Sequence, residues 1–308
     1  MQKNIKSNEK FANICYNAHM KYIKQSNKII IQDLTEFNPE HIIECGQVFR
    51  YTKCDEVYQV FSANKTAYIV PTKDNLLQLC GYEIVTDDVD YFENYFDLKQ
   101  DYASLKSQIL KIQDSDFMRN AINFGGGIRL LNQDHTETII SFVISQNNNI
   151  KRIQQIIEKI CQKFGTNMGG FYAFPTIEQL SKATSDDFKN MGAGYRATYL
   201  VNVIKFLQTF DSSSFEKLSQ DEQLGVLLSV NGIGPKVADC ILLFGYHNMT
   251  VFPVDTWIEK VYKEYFFDTG DSPKLDRKQI RKNLVSRFGN MSGYAQQYLF
   301  YYQRSSKK

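Results

Sequence analysis

The chain of 308 residues is 43% hydrophobic and 14% aromatic, enough apolar material for a sizeable core in two or three domains, and unlike a disordered chain. Its 36 Lys and Arg against 34 Asp and Glu leave a net charge of only +2, so a polyanion would have to be met by local basic clusters and not by a global field. Six cysteines (Cys15, Cys45, Cys54, Cys80, Cys161, Cys240) show no CxxC and no metal-ligand spacing, residues 1–10 lack a signal-peptide apolar core, and no run approaches membrane-spanning length, which together read as a reduced, intracellular protein.

Short β-branched and aromatic runs at 28–34, 47–53, 57–62 and 66–70 predict strands, with Ala63, Asn64 and Lys65 suited to a hairpin turn and 76–85 offering one more strand. From Asp88 a 3.6-residue apolar period takes over and predicts helices over 91–98, 105–112, 136–145, 150–164, 177–183, 196–207 and 215–220. Gly125 to Gly127 marks a break between the two patterns. The expected class is α+β: an N-terminal antiparallel β-sheet domain with flanking helices over 1–115, then a mostly helical region over 116–308 in two subdomains, with a helical hairpin at about 224–246. There is no internal repeat, low-complexity tract or nucleotide-binding glycine fingerprint, and residues 1–27 match no motif.

The hairpin carries the most chemistry. Gly232 and Gly234 are free to take positive φ, and Pro235 presets the first turn of a helix whose apolar side is Val237, Ala238, Ile241, Leu242 and Phe244. Residues 224–230 supply its helical partner. Backbone N–H groups at such a turn point outward and suit a phosphate. Gly-x-Gly alone favours an ordinary helical hairpin in a core. Lys236 sharpens the case, because a cation in the first turn of a helix opposes the macrodipole, while the same field favours the neutral amine that attacks an electrophile; taken alone it is more often a solvated surface lysine, and its spacing to Asp255 changes the balance. Nineteen positions on, Asp255 follows Pro253 and precedes an apolar-periodic stretch, so it reads as an N-cap. A carboxylate held by helix N–H groups stays ionised and can also stabilise a developing cation.

Further short segments recur in order along the chain: Gly46 to Tyr51, Gly127 to Asp134, Asn147 to Arg152, Gly194 to Arg196, and Tyr294 to Phe300. With the hairpin and Asp255, this ordered set resembles the 8-oxoguanine DNA glycosylase/AP lyases of the helix-hairpin-helix (HhH-GPD) superfamily, in the branch typified by the eukaryotic enzyme and having related bacterial members. The similarity runs from about Gly46 to Phe300. The resemblance implies that Lys236 is a Schiff-base nucleophile and Asp255 the essential carboxylate. It implies that the Gly46 carbonyl accepts the N7–H that separates 8-oxoguanine from guanine, that Cys240 and Phe300 sandwich the flipped base, and that Gln296 reads its Watson–Crick edge. Asn147, Arg152 and Arg196 are implied to contact the orphaned cytosine, and Tyr195 to fill the gap in the duplex.

These residue types suit the roles without the family, since an enzyme acting on a base must extrude it, stack it, read an edge and fill the space left behind. Each also has a plainer reading. Phe300 alone is a core aromatic, Cys240 a small buried hydrophobe, Arg152 a surface arginine, and Asn147 to Asn149 a helix break and cap. Retention of Arg152 predicts a preference for cytosine, whose acceptors match a donor-only guanidinium. The chain departs from the eukaryotic branch at Trp257, where that branch carries histidine, so no role of the histidine transfers. The scattered cysteines exclude the C-terminal iron–sulfur cluster of related glycosylases. The resemblance implies double-stranded DNA containing 8-oxoguanine as the partner, no membrane, a monomer, and no organic cofactor, with the Val230 and Ile233 carbonyls as candidates for a structural cation. A bacterial source would place the protein in the cytoplasm at the nucleoid. The alternatives are a glycosylase for another lesion, such as an alkylated purine, and a non-catalytic HhH module that binds DNA through the hairpin alone. The tail from Arg304 reads as a frayed, solubilising end.

Overall fold

The computed structural model describes residues 22–73, 80–266 and 275–306. Six antiparallel strands, β1 (Tyr22–Lys24), β2 (Lys28–Ile31), β3 (Tyr51–Cys54), β4 (Val57–Ser62), β5 (Lys65–Lys73) and β6 (Cys80–Val85), form one sheet in the order β1-β2-β6-β5-β4-β3. The register sets Ile29, Ile84, Ile69 and Tyr58 side by side across four strands. The face that carries this row packs on Phe37, Phe92, Tyr95 and Phe96, as the period-two alternation requires. Ser62 pairs with Lys65, so the β4–β5 loop is the two residues Ala63 and Asn64, with Ala63 at φ +51.

The predicted strand at 57–62 and helices at 150–164 and 196–207 are present with the expected bounds. The predicted strand at 47–53 is shorter, because Gln47 spends its side chain on Ile42, Arg129 and Leu131 backbone groups, and pairing begins only at Tyr51. Residues 76–79 of the predicted 76–85 strand lie outside the described residues, as do residues 1–21. In place of the predicted helix at 215–220, one short helix ends at Phe215 and another begins at Gln220. Asp211 caps the first, and Ser219 forms a capping box with Glu222 at the second.

The helical region surrounds His135–Ser145, whose residues from Glu137 to Ile144 are all buried and which packs on helices Ile150–Phe164, Arg196–Leu207 and Pro235–Phe244. Its core also takes in Tyr102, Leu105 and Ile109, together with Cys45 and Phe49 from beside the sheet. Sheet and helices are joined by buried polar contacts. Arg50 meets Glu137 at 3.0 Å, and the same Glu137 oxygen accepts the Ala63 N–H at 2.8 Å. The C-terminal helix Ser292–Ser306 packs on Asp116–Phe124, Thr256–Val261 and Arg277–Phe288.

Helix Pro235–Phe244 is held in place by Asp239, 1% exposed, whose carboxylate takes two hydrogen bonds from Arg281 of helix Arg277–Phe288, at 2.6 and 2.8 Å. Burial raises the carboxyl pKa and the guanidinium opposes the rise. Removing one partner strands the other charge in a poorly solvated place. Asp239→Ala is therefore expected to lower unfolding free energy by about 3 kcal/mol in urea denaturation at pH 7; a loss under about 1 kcal/mol would show that Arg281 finds water instead.

Candidate active site

At the hairpin, Gly232 sits at φ +111, and a Cβ there would lie 2.5 Å from Tyr199 Cβ, so both conformation and space require glycine. Gly234 departs from the expectation of positive φ: it is extended at φ −91 and ψ 173 with open space beside it. Its contribution is different. It is the N-cap of helix Pro235–Phe244 and has no side chain to occupy the first-turn donors, while Pro235 at the helix start has no N–H to orphan. The N–H groups of Lys236 and Val237 are thus left for an anion.

Lys236 is half-buried, with Nζ 5.5 Å from the centre of the Phe142 ring and within hydrogen-bonding reach of the Cys240 thiol one turn on. Burial pushes that thiol up to about 11, Lys236 pulls it back, and the charge of Asp255 adds a small further rise. Asp255 emerges from Val251 to Val254, a buried segment, and its Oδ1 accepts the N–H groups of Trp257 and Ile258 at 2.9 Å each. The cap fixes the carboxylate through one oxygen and leaves Oδ2 without a partner among the described residues. Trp257 serves this cap through its backbone, and its ring lies 5.0 Å from Lys260 Nζ.

Gly46, at φ +94, lies against the C-terminal helix, where a Cβ would stand 3.3 Å from Phe300 Cε1 and 2.6 Å from Arg304 Nη1. Its two preceding carbonyls are taken by that helix: Arg304 Nη2 donates to Glu44 at 2.5 Å and Gln297 Nε2 to Cys45 at 3.1 Å. The Gly46 carbonyl itself accepts nothing among the described residues. Gln296 stands one turn before Phe300, is 5% exposed, and has a buried Oε1 with no partner. The two residues on either side of the Phe300 ring therefore carry two acceptors without a donor among the described residues.

A third group of residues meets at Gln146, which the sequence analysis did not single out. Its Nε2 donates to the Gly232 carbonyl at 2.8 Å, and its own carbonyl accepts Tyr195 Oη at 3.3 Å and Arg196 Nε at 2.6 Å. The hairpin is so tied to the turn bearing Asn147, which is exposed at φ +46, and to Tyr195, 54% exposed at the start of helix Arg196–Leu207. Asn149 caps helix Ile150–Phe164 through the Arg152 N–H, while the exposed Arg152 guanidinium donates to Gly192 at 2.9 Å. Arg196 departs from its expected role. It is 4% exposed, with donors on the carbonyls of Gln146, Asn147 (2.7 Å) and Ala193 (3.3 Å), and burial lowers its pKa. It braces the Gln146–Asn147 turn from inside. Arg304 departs as well, being docked on Glu44 and not frayed. A run of polar residues closing a helix at Gln146, and the spacing of four from Gln296 through Phe300 to Arg304, are the signals that point to both.

The fold and site are those of a helix-hairpin-helix protein that offers backbone donors to a phosphate beside a lysine and a fixed carboxylate. Residues 29–139 match the 8-oxoguanine DNA glycosylase N-terminal domain, and residues 140–287 match the HhH-GPD superfamily of base excision DNA repair proteins. The chain is 31% identical to Arabidopsis thaliana N-glycosylase/DNA lyase OGG1 over 63% of its own length and 58% of that protein, and 28% identical to the Saccharomyces cerevisiae N-glycosylase/DNA lyase over 84% and 81%. The structure of Clostridium acetobutylicum 8-oxoguanine glycosylase/lyase, in complex with DNA containing cytosine opposite 8-oxoG, superposes with a TM-score of 0.81 at 31% identity, over 94% of this chain and 98% of that one. The chain belongs to the 8-oxoguanine DNA glycosylase family. Archaeoglobus fulgidus 3-methyladenine DNA glycosylase, at 19% identity and a TM-score of 0.67, shares the fold.

An unpaired buried amide oxygen costs about 1–3 kcal/mol, which the free protein bears at Gln296. Gln296→Met, of similar volume, is expected to leave the thermal midpoint unchanged or raise it in calorimetry; a clear fall would mean that the amide is a structural strut.

Proposed function

We propose that this protein flips 8-oxoguanine out of duplex DNA, excises it through a lysine Schiff base, and cleaves the resulting strand by β-elimination. The observation that carries the reading is Lys236 in the uncapped first turn of the hairpin helix, within hydrogen-bonding reach of the Cys240 thiol, with the Asp255 carboxylate fixed as the cap of the next helix. The unpaired acceptors of Gly46 and Gln296, beside Phe300, extend it to the substrate.

The hairpin N–H groups grip the phosphate backbone, and Tyr195 fills the space vacated by the flipped nucleotide. The base stacks between Cys240 and Phe300, with N7–H at the Gly46 carbonyl and the Watson–Crick edge at Gln296. Guanine presents a lone pair at N7, which the same carbonyl repels. The neutral amine of Lys236 forms a bond to C1′ as the bond from C1′ to N9 breaks, and the departing base takes the electron pair and then a proton. Positive charge develops on the sugar in this step, and the carboxylate of Asp255, held by its cap, stabilises it. Ring opening leaves an imine between Lys236 and C1′. Loss of a proton from C2′ then expels the 3′ phosphate, which nicks the strand.

Exposed Arg152, at the start of helix Ile150–Phe164, and exposed Asn147, on the turn before it, lie near Tyr195, where guanidinium and amide donors meet an orphaned cytosine. This is the basis for preference among opposing bases; Arg196 supports it indirectly through the Asn147 turn. One copy carries every residue invoked, so the protein works as a monomer. No organic cofactor enters the chemistry. A cation at the Val230 and Ile233 carbonyls would bridge to a phosphate; Val230 already accepts the Ile233 N–H at 3.0 Å and has one lone pair left. Among the described residues no helix is long and apolar enough to cross a membrane. The protein acts where DNA is kept, inside the cell and, in a bacterium, at the nucleoid.

The test is borohydride trapping on duplexes with 8-oxoguanine opposite each of the four bases. The wild type is expected to give a covalent complex, most with cytosine, and Lys236→Gln none. Asp255→Asn is expected to slow single-turnover excision by roughly a hundredfold or more, and Arg152→Ala to flatten the preference for cytosine. Release of an alkylated purine with none of 8-oxoguanine, or binding without base release from any duplex, would overturn the reading.

A further inference from the structure

Gln296, Phe300 and Arg304 are spaced by four on the C-terminal helix and form one stripe along it. The first two belong to the base pocket as read above. The third stands in the same row and touches the same glycine. Arg304 Nη1 lies 2.6 Å from where a Gly46 Cβ would be, nearer than the Phe300 ring. The centre of its guanidinium is 5.2 Å from the Phe300 ring centre and 5.8 Å from that of Tyr301. Nη2 is committed to the Glu44 carbonyl at 2.5 Å, while Nε is buried with no partner. A donor-only group with one buried, unpartnered N–H, beside a carbonyl that accepts nothing among the described residues, makes a donor–acceptor pair next to Phe300.

The chemistry of the lesion matches that pair. The edge of 8-oxoguanine that reaches Gly46 carries N7–H, a donor, next to the O8 carbonyl, an acceptor. In guanine the same two positions are a lone pair at N7 and a C8–H. O6 lies toward the Watson–Crick edge and Gln296, so O8 is the oxygen on the Gly46 side. An acceptor at Gly46 and a donor from Arg304 are complementary to 8-oxoguanine at both positions and to guanine at neither.

We propose that Arg304 is a specificity-determining residue, which holds the Gly46 turn through the Glu44 carbonyl and donates from its guanidinium to O8 of the flipped lesion. The proposal rests on the excision of 8-oxoguanine argued above. Gly46 then supplies one half of the discrimination and Arg304 the other. Deleting the guanidinium costs recognition of the lesion and spares everything the protein does with a site that has no base.

The experiment measures binding in the catalytically silent Lys236→Gln protein, with and without Arg304→Leu. The duplexes carry 8-oxoguanine, guanine or a stable abasic analogue opposite cytosine. Arg304→Leu is expected to reduce the preference for 8-oxoguanine over guanine by roughly tenfold or more, as for loss of a hydrogen bond to a charged group, and to leave affinity for the abasic analogue unchanged. Three results would overturn the proposal: an unchanged preference, an equal loss on all three duplexes, which marks a purely structural arginine, or tighter lesion binding, which marks an obstruction. If the Lys236→Gln parent shows no preference for 8-oxoguanine, the proposed function fails instead, and that is visible before Arg304 is altered.

Discussion

The proposed base pocket depends on one long-range contact, the docking of the C-terminal helix onto the turn from Glu44 to Gly46. Gln297 takes the Cys45 carbonyl and Arg304 the Glu44 carbonyl, which joins residues more than 250 positions apart. Gly46 follows directly, and Gln47 behind it is locked to the backbone of Ile42, Arg129 and Leu131. The turn is thus immobilised on both sides while its last carbonyl stays free. A glycine is needed because the helix side chains fill the space a Cβ would take and because φ is +94. The pocket wall is assembled only when the first and last parts of the chain meet.

The catalytic side is positioned from a different direction. Helix Pro235–Phe244 is clamped by Asp239 and Arg281 behind and by the Gly232 contact with Tyr199 in front, so Lys236 projects from a rigid first turn. Asp255 is fixed by its cap and by the buried segment before it. Gln146 joins this assembly to the turns bearing Asn147 and Tyr195. Among the groups left without a partner in the described residues are Gln296 Oε1 and Arg304 Nε, one turn either side of Phe300, and the carbonyl of Gly46, which packs against the Phe300 ring. Leaving them unpaired is a stability cost, and on the proposed reading a lesion with complementary donors and acceptors relieves it.

The parts legible in the sequence are those set by local rules. The N-caps at Asn149 and Asp255, Pro235 at the helix start, the alternation over 57–62 and the amphipathic helix 150–164 depend on neighbours a few residues away. The misreadings have long-range causes. Helix Ser292–Ser306 is buried on nearly every side from Ser292 to Leu299, so it shows no apolar stripe, and Arg277–Phe288 is mostly polar with three buried anchors. The burial of Arg196 and the docking of Arg304 are decided by carbonyls about 50 and 260 positions away, respectively. Gly234 shows the limit of a composition rule, for its value lies in lacking a capping side chain and not in its φ.

The most direct test of this account is the structure of Lys236→Gln bound to a duplex with 8-oxoguanine opposite cytosine. The account predicts the base extruded between Cys240 and Phe300, N7 within hydrogen-bond distance of the Gly46 carbonyl, and Gln296 on the Watson–Crick edge. A lesion still stacked in a fully bound duplex, or a flipped base whose N7 lies away from Gly46, would contradict it.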